Sequence, residues 1–268
     1  MELQEFYHSI LLQPEMISRL EQAKREVDLE SLEIPLQNLM NQDTAKETYL
    51  SLKDLFQEDT DHICLLYCQL ECARRSGMRY QKLGIPKKIF LDTMKCFSRF
   101  LEESKKKNGR LCFDRGWWTY RQISMQIFRI GALEYELKEY QSLPVIALHI
   151  PSDADLSPQA VDESLAEAKR FFRSFYPNYY CRAYICDSWL LSPSLRPFLP
   201  SESHILAFQN RFQILDEDPE NLEYLEWLFQ VHKETPVCEL PEGTRLQQQV
   251  KEAMMKGEKI GSAFGIMR

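Results

Sequence analysis

Arg129-Ile-Gly-Ala-Leu-Glu-Tyr-Glu-Leu137 and, a few residues on, Leu143-Pro-Val-Ile-Ala-Leu-His-Ile150 are where the periodicity of this chain changes. In the first stretch Leu133, Tyr135 and Leu137 point to one side while Glu134 and Glu136 point to the other, the period-2 alternation of a strand. The second is apolar on both faces, which suits a strand in the interior of a sheet. Ser157-Pro158 then supplies a capping residue and a first-turn proline, followed by Val161, Leu165, Ala168, Phe172 and Phe175 at helical spacing. Asp162 and Glu163 lie near the start of that helix and Lys169, Arg170 and Arg173 near its end, the distribution a helix dipole favours.

Downstream, Tyr180-Cys-Arg-Ala-Tyr-Ile-Cys-Asp-Ser-Trp189 predicts a long strand ending on polar side chains, before a segment punctuated by Pro193, Pro197 and Pro200. A short helix over Glu202–Asn210, a strand over Phe212–Leu215, helices over Asn221–Phe229 and Leu246–Lys256, and a final strand complete this half. Upstream, the first ~115 residues read as successive helices. Pro14 opens one. Thr60 is placed to cap another that stops at Gly77, and Pro86 opens a third, continuous through Phe90, Met94, Phe97 and Leu101 to the Lys105-Lys-Lys-Asn-Gly109 cap. Trp117–Phe128 fits a helix as well. The expected architecture is α+β or α/β: an all-helical domain over residues 1–116, packed on a mixed-sheet domain over residues 117–268.

A charged share of 27% and a net charge of −7 exclude a general nucleic-acid binder, which needs clustered positive charge. The acidic start Met1-Glu-Leu-Gln-Glu does not resemble a secretory signal, and no apolar run approaches the ~20 residues of a membrane span. Eight cysteines scattered through helix-like and strand-like patterns read as reduced thiols, so a cytoplasmic location is expected.

Cys64, Cys68 and Cys72 share one helix face, a spacing open to metal but better suited to small buried thiols among Leu65, Leu66 and Leu70. No nucleotide-binding glycine signature is present, and Gly257, Gly261 and Gly265 are expected in turns or close backbone packing. No nucleophile-elbow motif surrounds Ser188. The five histidines show no ligand-like pairing, so no metal site is expected. Glu134 and Glu136, about 7 Å apart along a strand, are either the solvated side of an amphipathic strand, the simpler reading, or a carboxylate pair lining a cleft. His149 is either a hydrogen-bonded buried imidazole or a catalytic base.

Phe128-Arg-Ile-Gly-Ala-Leu-Glu-Tyr-Glu136, Leu148-His-Ile-Pro151, Cys186-Asp-Ser-Trp-Leu-Leu-Ser-Pro193 and Ile205-Leu-Ala-Phe-Gln-Asn-Arg-Phe212 follow in that order. Together they resemble the acyltransferase-domain proteins in which a helical N-acyltransferase N-terminal domain precedes a GNAT-like C-terminal domain. The resemblance implies acyl transfer from acetyl-CoA or another acyl-CoA to a small-molecule or peptide amine, directly within a ternary complex. It further implies Glu134 or His149 as the base and Ser188 as an orienting residue. Ser152, Ser157, Gln159 and Ala160 would then form the cofactor cradle. Two features depart from the family pattern. Pro151-Ser-Asp-Ala-Asp-Leu-Ser-Pro158 carries two carboxylates and no glycine where a glycine-rich pyrophosphate loop is usual, and residues 190–212 contain no tyrosine to serve as general acid. A non-catalytic GNAT-like module that binds a ligand or partner is the alternative these departures imply.

Overall fold

The computed structural model describes residues 1–267. The chain forms two compact units, one spanning Met1–Arg129 and the other running from Ile130 onward.

Eight helices build the first unit: α1 (Leu3–Ser9), α2 (Pro14–Glu26), α3 (Glu33–Leu39), α4 (Ala45–Leu55), α5 (Ile63–Lys82), α6 (Lys87–Met94), α7 (Cys96–Asn108) and α8 (Gly116–Ile123). Helix α5 runs through the core, burying Leu65, Leu66, Cys68, Leu70 and Cys72. Its boundaries differ from those the sequence predicts. Asp59, not Thr60, caps it by accepting a hydrogen bond from the Cys64 N–H at 2.7 Å, and the helix passes through Gly77 to Lys82. Gly77 serves packing, because a Cβ there would lie 3.0 Å from the Phe90 ring. The helix predicted from Pro86 breaks at Lys95 into α6 and α7, and α7 stops at Gly109, whose φ of +69° is left-handed.

The sheet has the order β1-β2-β3-β4-β6-β5. Its strands are β1 (Ile127–Ile130), β2 (Leu133–Tyr140), β3 (Leu143–His149), β4 (Tyr184–Ser188), β5 (Phe212–Asp218) and β6 (Ser262–Met267). Phe128 therefore lies in a strand, not at the end of the helix expected over 117–128. The β2–β3 hairpin turns on Gln141 and Ser142, both with positive φ, as a two-residue turn that matches strand twist requires. Helix α9 (Pro158–Phe175) connects β3 to β4, and Ser157 caps it as expected, accepting from the Ala160 N–H at 3.4 Å. The strand predicted from Tyr180 begins only at Tyr184. Pro177 starts a short 3-10 turn, and Cys181 takes a left-handed φ of 59°.

Helices α10 (His204–Gln209) and α11 (Arg245–Met255) fall close to their predicted places, and the helix predicted over 221–229 is present as a short one that widens into a π-helix at Leu225–Phe229. Gly261 marks the entry to β6: its φ is +65°, and a Cβ would lie 2.4 Å from the Asp218 carbonyl oxygen. Among the described residues no helix is long and apolar enough to cross a membrane.

Candidate functional site

The register of the sheet determines which side chains meet. In the antiparallel β2–β3 ladder Glu134 faces His149, Tyr135 faces Leu148 and Glu136 faces Ala147. Directly paired residues share a face. The parallel β3–β4 ladder pairs Ile146 with Tyr184 and Ala147 with Ile185. One face thus carries Glu134, Glu136, Val145, Ala147, His149, Ile185 and Asp187, and the opposite face carries Tyr135, Leu148, Tyr184, Cys186 and Ser188.

Helix α9 covers the second face. Its Ser164 hydroxyl lies 2.7 Å from the Tyr135 hydroxyl and donates to the Ile130 carbonyl, and its Phe172 ring meets Tyr135 edge-on. Cys186 is buried here, and burial raises its thiol pKa, with the Asp187 charge adding to the effect. Such a thiol is a poor nucleophile. Ser188 also lies on this side, its hydroxyl accepting from the Leu190 N–H at 3.2 Å to cap the turn that follows β4.

The first face is apolar at its centre, where Val145, Ala147 and Ile185 pack with Phe264 and Ile266, and charged along one border. Glu134 and Glu136 are 2% and 6% exposed. The solvated face expected for them is overturned, because an alternating strand can bury its polar side where the carboxylates find partners. Glu136 does so: its Oε2 lies 2.9 Å from His149 Nε2, with Lys138 Nζ at 4.0 Å. The His149 side chain keeps 22% of its surface accessible, so an imidazole with a buried carboxylate behind it reaches the surface. That is the arrangement of an oriented proton acceptor.

One strand further on, Asp187 is solvent-exposed, and its carboxylate makes no hydrogen bond or ion pair among the described residues. Desolvation by its surroundings raises its pKa. Lys138 opposes this, Asp218 and Asp216 reinforce it, and His149 opposes it least. The sequence marks Asp187 only as one of three polar residues ending a strand. Its alignment beside His149 depends on a parallel register that local patterns do not encode.

The β3–β4 ladder ends at Ala147 and Ile185, although β3 continues to His149 and β4 to Ser188. On its other edge β4 stays paired with β6 from Ile185 to Ser188, so it is the β3 side of β4 that is released beyond Ile185, with His149 and Asp187 on either side of the parted strands.

Ser152, Ser157, Gln159 and Ala160 lie apart from this pair in sequence, on the β3–α9 connection and the first turn of α9. The Asp155 carboxylate turns onto its own backbone, accepting from the Ser157 N–H at 2.8 Å, and this bond holds its pKa low. Its charge is therefore spent locally. Gln159 donates to Glu163 at 2.9 Å. Arg211 donates to the Pro158 carbonyl at 3.3 Å and to Asp162 at 2.5 Å, bringing a positive charge to the same turn. An anionic group at this turn would meet Arg211, already paired with Asp162, and the Gln159 N–H, with no glycine-rich loop. Among the described residues no cluster of three or more His, Cys, Asp or Glu side chains is placed to hold a metal ion.

Comparison with known proteins agrees with this architecture. The family model for an N-acyltransferase N-terminal domain matches residues 1–125, and that for a GNAT-like C-terminal domain matches residues 127–267. The crystal structure of an acyltransferase in complex with decanoyl-CoA superposes with a TM-score of 0.70 at 27% identity, covering 75% of this chain and 64% of that one. A mutant acyltransferase in complex with octanoyl-CoA gives 0.71 at 25% identity, covering 76% of this chain and 65% of the other. The chain thus spans slightly less than two thirds of the length of either relative. An acyltransferase in complex with decanoyl-CoA and teicoplanin gives 0.73 over 100% of this chain and 99% of its own, at 19% identity, a likeness of fold. No curated protein matches. The match across residues 127–267, preceded by the N-terminal match, places this chain in the GNAT-like acyltransferase family with a helical N-acyltransferase N-terminal domain.

Proposed function

We propose that the chain is an N-acyltransferase that moves an acyl group from an acyl-CoA thioester to an amine of a small molecule or peptide, directly within a ternary complex. The observation that carries this reading is the parting of β3 and β4 beyond Ala147 and Ile185, with the Glu136–His149 pair at its border. Strand edges released from pairing present backbone N–H groups to whatever enters between them, and such donors stabilise a carbonyl oxygen as it gains charge. The relatives crystallised with decanoyl-CoA and octanoyl-CoA support a CoA thioester as donor.

A bound thioester supplies an electrophilic carbonyl and a thiolate leaving group. His149, oriented by Glu136, takes the proton that the acceptor nitrogen must lose. Glu134 lies buried opposite His149, on the same face behind the imidazole. Ser188 fixes the turn at the end of β4 and so sets the geometry of the gap. Ser152, Ser157, Gln159 and Ala160, with Arg211, would hold the donor's phosphates at the start of α9.

A second reading, a non-catalytic module that binds a CoA species, is favoured by one detail. Pro158 has no N–H, and Ser157 and Asp155 occupy the Ala160 and Ser157 amides, so the first turn of α9 offers a ligand little beyond the Gln159 amide. Incubating the protein with decanoyl-CoA and a panel of amines separates the two. Release of free thiol together with an amide product supports the transferase, whereas a thermal shift with no turnover supports the binding module. At a hundred times Kd a ligand stabilises by about 2.7 kcal/mol, so the absence of any shift at high decanoyl-CoA concentration sinks the donor assignment.

A further inference from the structure

Of the carboxylates that the acyl-transfer reading leaves unassigned on this face, Asp187 is the one on the strand beside His149, and its placement identifies the form in which the acceptor arrives. An alkyl amine is protonated at neutral pH, with a pKa near that of lysine at about 10.4. Bringing the ammonium against an apolar sheet face removes its hydration, which is unfavourable unless a counter-charge is at hand. Glu136 is engaged by His149 at 2.9 Å, and Glu134 is 2% exposed. Asp187 is exposed on the same face as His149, one strand away across the parted ends, and free of any hydrogen bond or ion pair among the described residues. Against it lie Ile185 and Phe264, which cannot satisfy a carboxylate, and the charges of Lys138, Asp216 and Asp218 act on it without bonding to it.

We propose that Asp187 is the residue that receives the acceptor's ammonium group, so that the chain selects cationic alkyl amines over neutral nucleophiles. This rests on the acyltransferase reading for its consequence in turnover, though not for the binding itself. Asp187 accepts a charge-assisted hydrogen bond from the ammonium and aligns its nitrogen toward the gap. One N–H proton passes to His149 and on to solvent, which frees the nitrogen lone pair. The C–N bond forms as the C–S bond breaks. A second N–H proton ends on the departing sulfur as the CoA thiol, and the third stays on the amide. Overall, an ammonium and a thioester become an amide, a thiol and one released proton. The raised pKa of Asp187, caused chiefly by desolvation, is what a carboxylate awaiting a cation would show.

The test titrates full-length wild-type protein, Asp187→Asn and Glu217→Gln with hexylamine hydrochloride, followed by NMR of carboxyl-labelled Asp and Glu. Glu217 is an exposed carboxylate opposite Ala263, so it projects from the other face of the sheet and controls for the loss of one charge. The expected result is hexylammonium binding weakened about 10- to 100-fold in Asp187→Asn and unchanged in Glu217→Gln, with decanoyl-CoA binding the same in all three. Equal amine affinity in wild type and Asp187→Asn, or no binding to wild type, overturns the proposal. Decanoyl-CoA binding and thiol release on the same samples decide the transferase reading separately. If both are present while Asp187→Asn binds amine normally, only the ammonium site falls. If both are absent, the transferase reading falls and the titration still decides Asp187.

Discussion

Replacing Glu136 by glutamine removes a charge while keeping the shape of the side chain and an oxygen to accept from His149, and this makes it the sharpest perturbation of the candidate site. The bond is 2.9 Å long and its acceptor is 6% exposed, so water does little to screen it. A hydrogen bond to a charged group contributes about 1.5–3 kcal/mol and a neutral one about 0.5–1.5 kcal/mol. Losing the charge but not the bond therefore costs about 1–1.5 kcal/mol and, at about 1.36 kcal/mol per factor of ten, lowers kcat by roughly 5- to 13-fold. Because the imidazole becomes cationic only as it takes the acceptor's proton, the loss should fall on kcat and leave the KM for decanoyl-CoA within about twofold. His149→Ala removes the base itself and should cost about 10²–10⁴ in kcat, partly restored by added imidazole. The assay is continuous detection of free thiol with decanoyl-CoA and a saturating amine, with circular dichroism to confirm that each variant is folded. A His149→Ala enzyme within threefold of wild type, or a Glu136→Gln loss confined to KM, would refute the assignment of the pair as the proton acceptor.

Other consequences reach the rest of the molecule. Burial first, then the nearby Asp59 and Glu26 carboxylates, push the Cys64 thiol up to about 11. Iodoacetamide at pH 8 should therefore label the exposed Cys181 and Cys238 well ahead of Cys64, with Cys64 gaining most on going to pH 10; equal labelling by peptide mass mapping at pH 8 would contradict this. Glu71 is bound by Arg74 at 2.6 Å and Arg75 at 2.8 Å, and although burial raises its pKa, these two guanidinium bonds outweigh burial and hold it below 4.5. Its contribution is present above the unfolded pKa and lost as pH falls through the folded one. Glu71→Gln should thus cost about 2 kcal/mol at pH 7, less than a fully buried pair because both arginines are partly exposed. By urea denaturation the gap to wild type should close toward pH 3. Gly261→Ala forces a Cβ to 2.4 Å from the Asp218 carbonyl oxygen at φ +65°. We expect a loss of at least about 2 kcal/mol, and a variant of wild-type melting temperature would count against the tight approach.

Where local chemistry dictates structure, the sequence is readable. The alternation of Leu133, Tyr135 and Leu137 yields β2, and Ser157-Pro158 before an apolar stripe yields α9 almost to the residue. What escapes is whatever depends on register. Tyr140-Gln-Ser-Leu143 lacks the Asn-Gly type of signal that marks a two-residue hairpin. Yet Gln141 and Ser142 both adopt positive φ, and that turn is what sets Glu134 against His149 and brings Glu136 within hydrogen-bond range. Periodicity separates the two sides of β2, but it does not say which side is covered, and the glutamate face consequently reads as solvated. Asp187 is hidden for the same reason, since its neighbour His149 is set by a parallel ladder. Phe128 reads as helical because Trp117–Phe128 keeps helical spacing, whereas α8 ends at Ile123 and Met125 turns to a left-handed φ.

The brief β3–β4 ladder also bears on how the sheet moves. The β2–β3 ladder has seven register pairs and the β5–β6 ladder six, whereas β3 and β4 share two. Mechanically the sheet is two three-stranded leaves, β1-β2-β3 and β4-β6-β5, stitched along a single short seam. The Leu148 amide, which like that of Ile146 faces the seam, should then exchange with solvent faster than those within either leaf. A molecule lying across the seam would act as a missing stitch, slowing that exchange and stiffening the two leaves into one.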